Sequence, residues 1–344
     1  MKTYGIGIIG TGAIAGIHAA AIKAIKNAEL VAVCSRSPDR AMDAEAKFGV
    51  KAYSDVQSFL SHPDLDVVCI CTASGRHLEP AMLAAKAGKH VIVEKPIEVT
   101  LARTDQLIGA CEKYGVKLSV IFQNRFSSDY QKLKKAVDRG IFGRLLMSNA
   151  YVNWFRNEEY YSKSDWKGTI EVDGGGAFIN QGIHTIDLLL DLMGEVSSLF
   201  GQVKTAYHQI EGEDLGVAIV NFKNGALGNI TSATALYPGL PERIEIFGTE
   251  GSAILEAGKI THWEIKGSET KLEESRDFSA SGAADPMAIT GILHQMQWAE
   301  FIDSLENGGN YSVDGPTSRK SLELIRGIYL SSKRQSIVNF PFQE

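Results

Sequence analysis

Residues 6–15 read IGIIGTGAIA, and this stretch decides the fold. Its first four residues form an apolar run typical of a buried strand, and a glycine-rich turn follows at once. Gly10 allows the tight turn, Gly12 lets a pyrophosphate approach the backbone at a helix N-terminus, and Ala15 permits close packing of that helix on the strand. At a strand-to-helix junction this GxGxxA pattern predicts a dinucleotide site; a tight turn without a ligand is the alternative.

The alternation of strand and helix continues to residue 122. The predicted strands are apolar throughout, which indicates a parallel sheet covered on both faces. The repeated β-α-β order therefore predicts an α/β Rossmann domain with a doubly wound parallel sheet over residues 1–122. Helices are predicted between the strands, which are residues 6–9, 30–34, 67–71, 91–93 and 117–122.

The pattern changes after residue 122, where a long irregular stretch and several punctuated strands appear. Asn224-Gly225 between two of these strands is a strong hairpin signal. We expect an α+β C-terminal domain over residues 123–344, with a large, mostly antiparallel open sheet, for substrate binding and oligomerisation. The predicted helices are residues 128–139, 180–193, 287–306 and 317–333, and the predicted strands are residues 145–154, 198–207, 216–222, 226–235, 242–247 and 252–256.

Charge and composition limit the partners of this chain. Its net charge of −6, without a basic stripe, argues against nucleic-acid binding. We expect no membrane contact, because no apolar run approaches the roughly 18 residues of a span, and the chain starts without a signal-peptide pattern. The four cysteines form no CxxC pair, so buried free thiols and a cytoplasmic location are expected. An antiparallel sheet with one free face needs a cover, which predicts a homodimer or homotetramer.

The end of the second predicted strand bears on the choice of cofactor. An NAD-specific site usually places an acid there to hold the ribose 2′-hydroxyl. This chain has Ser35 and Arg36 instead, which can bind a 2′-phosphate through charge-assisted hydrogen bonds. The cofactor is therefore expected to be NAD(P), with NADP(H) favoured over NAD(H). Alternatively, Arg36 stacks on the adenine or is solvated, and NAD(H) is accepted.

Three further motifs carry a resemblance to a known family. Residues 72–77 read TASGRH, residues 88–96 read GKHVIVEKP, and residues 174–187 read GGGAFINQGIHTID. In this order they resemble the signatures of the glucose-fructose oxidoreductase/inositol dehydrogenase (Gfo/Idh/MocA) family, and they span essentially the whole chain. The resemblance implies an NAD(P)-dependent oxidoreductase that transfers a hydride between nicotinamide and a secondary alcohol or ketone of a sugar, cyclic polyol or nucleotide-sugar. Residues 166–169, WKGT, look closest to members that oxidise nucleotide-linked sugar acids at C3.

Lys95 follows a predicted strand, at the position where open parallel sheets bind ligands. Hydride removal from a secondary alcohol needs a group that takes the hydroxyl proton and a cation that stabilises the developing oxyanion. Glu94 is expected to position Lys95 or the nicotinamide ribose, and the resemblance implies a cis Lys95-Pro96 bond. A solvated surface lysine is the alternative. Cofactor binding is assigned to Gly10, Thr11, Gly12, Ala13, Ile14, Ser35, Arg36, Thr72, Ala73, His77, Glu94 and Lys95.

His184 is the candidate acid/base in the second domain. Asn180 and Asp187 can share its helix face, at four residues before and three residues after it. The family pattern has an acid at position 180, whereas the amide of Asn180 can orient an imidazole or hold a substrate hydroxyl but supplies no charge. Asp187 is expected to supply the missing negative charge beside His184; the alternatives are that it caps the helix or packs in the core. A satisfied buried histidine is the alternative for His184, and no HExxH or cysteine cluster predicts a metal.

Aromatic and cationic side chains alternate between residues 151 and 167. Aromatic faces stack on sugar C–H surfaces and the cations suit a carboxylate or phosphate, although interface packing explains this segment equally well. The glycines at 174–176 and Gly182, which lead to His184, predict a second backbone site, for a sugar-like substrate. The candidate substrate residues, including Arg125 at the domain junction, are Arg125, Asn153, Trp166, Lys167, Asn180 and His184.

Two other functions are compatible with this architecture. One is a dehydrogenase for a non-sugar carbonyl compound or a dihydrodiol. The other is a catalytically silent regulatory protein that binds NADP, and the presence of Lys95 and His184 argues against it.

Overall fold

The computed structural model describes residues 2–268 and 291–344, which form two compact units. The first unit comprises residues 1–123 and 291–319, and the second comprises residues 124–290 and 320–344. Residues 287–290 of the predicted helix 287–306 lie outside the described residues. Among the helices of the described ranges, none has both the length and the apolar character that crossing a bilayer requires.

The first unit is built on a six-stranded parallel sheet with the order β3-β2-β1-β4-β5-β6, which confirms the predicted doubly wound α/β domain. Its strands are apolar because helices cover both faces. The elements are β1 (Tyr4–Ile9), α1 (Ala13–Lys23), β2 (Ala28–Cys34), α2 (Pro38–Phe48), β3 (Lys51–Tyr53), α3 (Val56–Leu60), β4 (Val67–Ile70), α4 (Leu78–Lys86), β5 (His90–Val93), α5 (Leu101–Lys113) and β6 (Leu118–Val120).

The first unit also contains a helix from near the C-terminus, which differs from the predicted division of the chain at residue 122. This helix bears Trp298, Phe301 and Ile302 at i, i+3 and i+4, so they share one face. All three are buried in the same core as Ile6 and Ile92 of the parallel sheet. The periodicity of the helix indicates a buried face but not the sheet against which that face packs.

The second unit carries an eight-stranded sheet with the order β13-β12-β11-β7-β10-β9-β8-β14, in which only the β7–β10 pair is parallel among the described strands. This confirms the open, mostly antiparallel sheet. The helices are α6 (Ser128–Asp138), α7 (Glu158–Ser162), α8 (Ile183–Met193), α9 (Ile292–Asn307, the helix of the first unit) and α10 (Gly315–Arg334). The strands are β7 (Leu145–Asn153), β8 (Val196–Lys204), β9 (Leu215–Phe222), β10 (Leu227–Ala233), β11 (Arg243–Gly248), β12 (Gly251–Glu256), β13 (Lys259–Ile265) and β14 (Val338–Asn339).

Local predictions about turns and thiols are mostly confirmed. Asn224-Gly225 joins β9 to β10, with Gly225 at φ +87° and the Asn224 side chain accepting a hydrogen bond from the amide of residue 226. All four cysteines are free and buried. The predicted helix 180–193 is different in detail, because residues 177–182 form a π-helical turn and α8 begins only at Ile183.

Candidate functional site

The glycine-rich turn between β1 and α1 has room for a ligand. Gly10 adopts φ +96°, and an added Cβ would lie 2.6 Å from the Cys71 carbonyl oxygen. At Gly12, which precedes α1, an added Cβ would meet no described atom within 4 Å, and no described side chain caps the helix. The first backbone N–H groups of α1 therefore point towards open space, where they can bind an anion. These residues fit the pyrophosphate of a dinucleotide.

Hydroxyl groups connect this turn with the end of β2. The Thr11 and Ser35 hydroxyls lie 3.0 Å apart, and Ser35 is buried. Arg36 is exposed beside them, and Ser37 accepts a hydrogen bond from the amide of Arg40 at the start of α2. Ser35 and Arg36, the two predicted ligands of a 2′-phosphate, follow β2, and the glycine-rich turn follows the neighbouring parallel strand β1. The structure thus places both at the same edge of the sheet.

The loop after β4 is tied to the turn at Lys95 by a buried histidine. The ring nitrogens of His77 lie 2.9 Å from the Pro96 carbonyl oxygen and 3.1 Å from the Thr72 carbonyl oxygen. His77 is 1% exposed and supports the loop that carries Thr72 and Ala73. The Lys95-Pro96 bond is cis, as the resemblance implied.

Glu94 and half-buried Lys95 follow β5, and the Glu94 carboxylate is held on both oxygens. Oε1 lies 2.8 Å from Nε2 of His18, and Oε2 accepts a hydrogen bond of 3.1 Å from the backbone N–H of Lys95. Burial opposes the charged form, but the hydrogen bond from His18 outweighs it, with a smaller contribution from the Lys95 ammonium, and the pKa of Glu94 is lowered. Glu94 is therefore an anion that fixes the backbone of Lys95.

The π-helical turn of the second unit exposes two polar residues. From residue 177 to residue 189, all side chains are buried except those of Asn180 and His184, which are half-buried. Asn180 Nδ2 donates a hydrogen bond of 2.6 Å to Asp173, whose other oxygen accepts the Gly168 N–H at 2.8 Å. Asp173 thus places a carboxylate beside Asn180, and because it accepts from the amide N–H it leaves the amide oxygen of Asn180 as an acceptor. Sequence reasoning missed Asp173, although it stands directly before the glycines at 174–176.

A second buried carboxylate, Glu213, holds the start of this turn. It accepts the N–H of Gly176 at 2.9 Å, the N–H of Phe178 at 2.8 Å and the hydroxyl of Tyr329 at 2.9 Å. Burial raises the pKa of Glu213 to about 7. An added Cβ at Gly176 would lie 1.8 Å from the Glu213 carbonyl oxygen, and one at Gly175 would lie 2.4 Å from the Tyr329 hydroxyl. Gly176 and Gly175 therefore make room for the Glu213 backbone and the Tyr329 side chain, a role in the fold that the sequence did not indicate.

Arg125 and Asp187 form a buried ion pair within the second unit. Nε and Nη2 of Arg125 lie 2.6 and 2.8 Å from the two carboxylate oxygens of Asp187, and Nη1 lies 3.0 Å from Asp191. Ser321 donates a further hydrogen bond to Asp187. Both residues of the pair are buried, which agrees with the alternative that Asp187 packs in the core.

The aromatic segment forms a cluster around Tyr160. The ammonium of Lys167 lies 3.8 Å from the centre of the Tyr160 ring, and the guanidinium of Arg156 lies 5.4 Å from it. Gln181 donates a hydrogen bond of 3.0 Å to the Tyr160 hydroxyl and another to the amide oxygen of Asn180, at 3.2 Å. The structure therefore joins Lys167 to Asn180 through this cluster. Asn153 lies at the end of β7, and half-buried Trp166 opens the turn to residue 169.

Buried groups that could bind a metal occur in the first unit. In the described ranges, His18 belongs to two such groups, one with Cys69 and Cys71 and one with Glu94 and His294. The indole N–H of Trp298 donates to Nδ1 of His18, so the proton of the neutral ring is on Nε2. A metal on Nε2 would require an imidazolate, and these residues fit a hydrogen-bonded cluster better than a metal centre.

Comparisons with known proteins give a consistent result over the chain. Residues 4–122 match the family model "Oxidoreductase family, NAD-binding Rossmann fold" (GFO_IDH_MocA), and residues 130–254 match the GFO/IDH/MocA C-terminal domain. The chain is 34% identical to myo-inositol 2-dehydrogenase of Thermotoga maritima, over 72% of this chain and 73% of that protein. It is 27% identical to D-apiose dehydrogenase of Paraburkholderia graminis, over 97% and 88%. The structure of the WlbA dehydrogenase from Bordetella pertussis in complex with NADH and UDP-GlcNAcA superimposes with a TM-score of 0.89 at 31% identity, over 99% and 100%.

Proposed function

The chain belongs to the Gfo/Idh/MocA family of oxidoreductases, and from this premise we propose that it oxidises a secondary hydroxyl of a nucleotide-linked sugar acid. The broader activity follows from its relatives: it is an NAD(P)-dependent dehydrogenase of sugar-like or polyol substrates. The observation that carries the narrower proposal is the cluster of Lys167 and Arg156 around Tyr160, connected through Gln181 to Asn180.

The first unit holds the dinucleotide and one proton-transfer group. The N–H groups at the start of α1 would hold the pyrophosphate of a dinucleotide, and that dinucleotide would supply the hydride acceptor when bound. Lys95, whose backbone is fixed by Glu94, takes up or returns the hydroxyl proton and stabilises negative charge on the substrate oxygen. Ser35 and Arg36 favour a 2′-phosphate, so NADP(H) is the preferred form.

The second unit holds the sugar. Asp173 fixes Asn180 with its amide oxygen as the acceptor, which suits a substrate hydroxyl. His184, one turn further on, exchanges a proton with the substrate. Lys167 supplies positive charge for the carboxylate, and the Tyr160 ring holds its ammonium through a cation–π contact. Arg156 is 4% exposed and packs against the same ring, so it holds Tyr160 in place. Asn153 and Trp166 complete the proposed substrate residues.

The uncovered face of the second sheet supports self-association. Val217 is 48% exposed, Ile219 is 57% exposed and Leu227 is 51% exposed, on neighbouring strands β9 and β10. An apolar face of this kind is costly in water, so a homodimer or homotetramer through this sheet is proposed. Ile219→Lys should shift the chain towards monomers in multi-angle light scattering. The four buried free thiols favour the reducing cytoplasm as its compartment.

A substrate screen tests the proposed activity. The enzyme is incubated with NAD or NADP and with UDP-N-acetylglucosaminuronic acid, UDP-glucuronic acid, myo-inositol or a dihydrodiol, and growth of the reduced-nicotinamide absorbance is followed. A rate that is highest with a UDP-linked acid supports the proposal, and Lys167→Met should raise KM for that acid more than KM for myo-inositol. The narrower proposal fails if neutral polyols are preferred, and dinucleotide binding without any turnover would identify a regulatory protein.

A further inference from the structure

We infer that His18 and Trp298 are positioning residues for Lys95, an assignment that rests on the proposed role of Lys95 in proton transfer. They form a buried hydrogen-bond chain that leads from α9 through α1 to the Glu94 carboxylate. Through Glu94, this chain sets both the backbone orientation and the electrostatic environment of Lys95.

The chain is continuous in its distances. Nε1 of Trp298 donates to Nδ1 of His18 at 2.9 Å, Nε2 of His18 lies 2.8 Å from Oε1 of Glu94, and Oε2 of Glu94 accepts the N–H of Lys95 at 3.1 Å. Trp298 and His18 are fully buried, and Glu94 is 8% exposed. Water therefore has little access to these bonds, and each group depends on its partner in the protein.

The proton positions follow from the chemistry of the two end groups. An indole N–H can only donate, so Nδ1 of His18 must offer a lone pair. The single ring proton is then on Nε2, where it points at a carboxylate that can only accept. Protonation of Nδ1 would place two N–H groups against each other at 2.9 Å. The contacts with Cys71 and Glu94 raise the pKa of His18. The hydrogen-bond geometry decides against the charged ring, because Cys71 is itself a neutral thiol near pH 7 and the indole N–H leaves Nδ1 no room for a proton. His18 is consequently a neutral relay with one fixed tautomer.

The other groups that face His18 come from β4, the loop that follows it, and α9. Cys69 and Cys71 lie on the sheet side, and His294 packs edge-on against His18 with ring centres 5.4 Å apart. Burial lowers the pKa of His294 to about 4 and raises the pKa of Cys71 well above its usual range. Both are neutral near pH 7, so Glu94 carries the charge of this cluster, opposite the Lys95 ammonium.

Two substitutions at His18 separate polarity from packing. His18→Gln keeps one acceptor and one donor at nearly the spacing of the two ring nitrogens, whereas His18→Leu removes both and leaves Glu94 short of a donor. Trp298→Phe removes the indole N–H together with one ring of a fully buried side chain but leaves His18 itself in place, and it serves as a second variant if His18→Leu does not fold.

The first measurement needs no substrate. In the full-length enzyme without added ligand, ¹⁵N-histidine NMR should show the His18 ring, identified by its absence in His18→Gln, as the Nε2–H tautomer without titration from about pH 6 to 9. The NMR signal of the Lys95 side chain is assigned by its loss in Lys95→Arg. This signal should titrate at a lower pH in His18→Leu than in the wild type, and at the wild-type pH in His18→Gln. An imidazolium signal for His18, or an unchanged Lys95 titration in both His18→Leu and Trp298→Phe, would overturn the inference.

The second measurement uses turnover of UDP-N-acetylglucosaminuronic acid. His18→Leu should lower kcat by roughly 10-fold to 100-fold, as expected for the loss of one hydrogen bond to a charged group, while KM for the dinucleotide changes little. His18→Gln should recover most of kcat. If His18→Gln is as impaired as His18→Leu, the polarity of the relay is irrelevant and the inference fails. If the wild type turns over no sugar, the proposed function fails, whereas the Lys95 titration still decides the inference.

Discussion

Two glycine-rich segments precede helices in this chain, and they serve different purposes. At Gly12 in the first unit an added Cβ would enter open space, and the helix start has no described side-chain cap. At Gly176 in the second unit an added Cβ would strike the backbone of Glu213, whose carboxylate binds the adjacent N–H groups. A glycine run at a helix start therefore marks a close approach, but it does not reveal whether a ligand or the protein itself makes that approach.

The largest effect is expected at Gly176. Gly176→Ala should destabilise the protein by about 3 kcal/mol, because backbone atoms of residue 213 cannot move aside as a flexible side chain can. Chemical denaturation measures this change. Gly109→Ala in α5 is the control, since its added Cβ meets no described atom within 4 Å, and it should leave stability unchanged or slightly higher. Equal stability of the two variants would contradict the close approach of the Glu213 backbone to Gly176.

Ionisation of Glu213, which binds the glycine-rich segment of the second unit, should make the stability of the protein depend on pH. The pKa of Glu213 is raised from 4.5 to about 7, so the folded state holds more protons than the unfolded state between these values. The free energy of unfolding should therefore fall as pH rises from about 4.5 to 7, by on the order of 2–3 kcal/mol, and then level off.

Glu213→Gln should flatten this dependence in denaturation curves at pH 5 and pH 8. Tyr329→Phe removes one donor to the carboxylate and should move the decline to higher pH. If Glu213→Gln and the wild type lose stability in parallel as pH rises, Glu213 is not the group responsible.

Gly12→Ala should lower dinucleotide affinity and leave stability unchanged, whereas Gly176→Ala should lower stability. The stability of Gly12→Ala should stay close to that of the wild type, because the added methyl group meets open space. Dinucleotide affinity should fall by about 10-fold, the equivalent of roughly 1.4 kcal/mol, because the methyl occupies the position of close pyrophosphate approach. Isothermal titration calorimetry measures the affinity, and an unchanged Kd would remove the pyrophosphate from this turn.

The smallest effect concerns which dinucleotide the first segment prefers. Ser35→Asp combined with Arg36→Ala should turn the ratio of kcat/KM for NADP over NAD towards NAD by roughly fivefold to tenfold, since it replaces two phosphate ligands with a repelling acid. Arg40→Ala at the start of α2 is a nearby charge control. An unchanged ratio in the double variant contradicts the assignment of Ser35 and Arg36.

Local sequence patterns predicted the helices and strands of the fold better than the packing contacts between them. Apolar strands and the Asn224-Gly225 turn are short-range signals, and the structure confirms both. The assignment of α9 to the first unit depends on which sheet meets Trp298, which no local period encodes. The doubly wound sheet was predictable because five of its six strands carry their own apolar run. The exception is β3, Lys51–Tyr53, which is short and only partly buried and was not predicted.

The candidate site was predictable where one segment holds its parts. Asn180 and His184 are four residues apart, and the structure leaves both half-buried within an otherwise buried stretch. The partner of Asp187 is Arg125, 62 residues away, and the carboxylate of Glu213 reaches Gly176 across 37 residues. Such partners depend on tertiary contacts, so spacing along one helix could not show that Asp187 pairs with Arg125.

The most direct test of the central claim compares wild type and Lys95→Ala with UDP-N-acetylglucosaminuronic acid and NADP or NAD, with dinucleotide binding measured on the same samples. We expect reduced nicotinamide to form with the wild type, and kcat to fall by roughly 10²–10⁴ in Lys95→Ala, the usual contribution of a positioned proton-transfer group, with dinucleotide binding retained. Near-normal turnover in Lys95→Ala, or binding without turnover in the wild type across the sugar panel, would contradict the account.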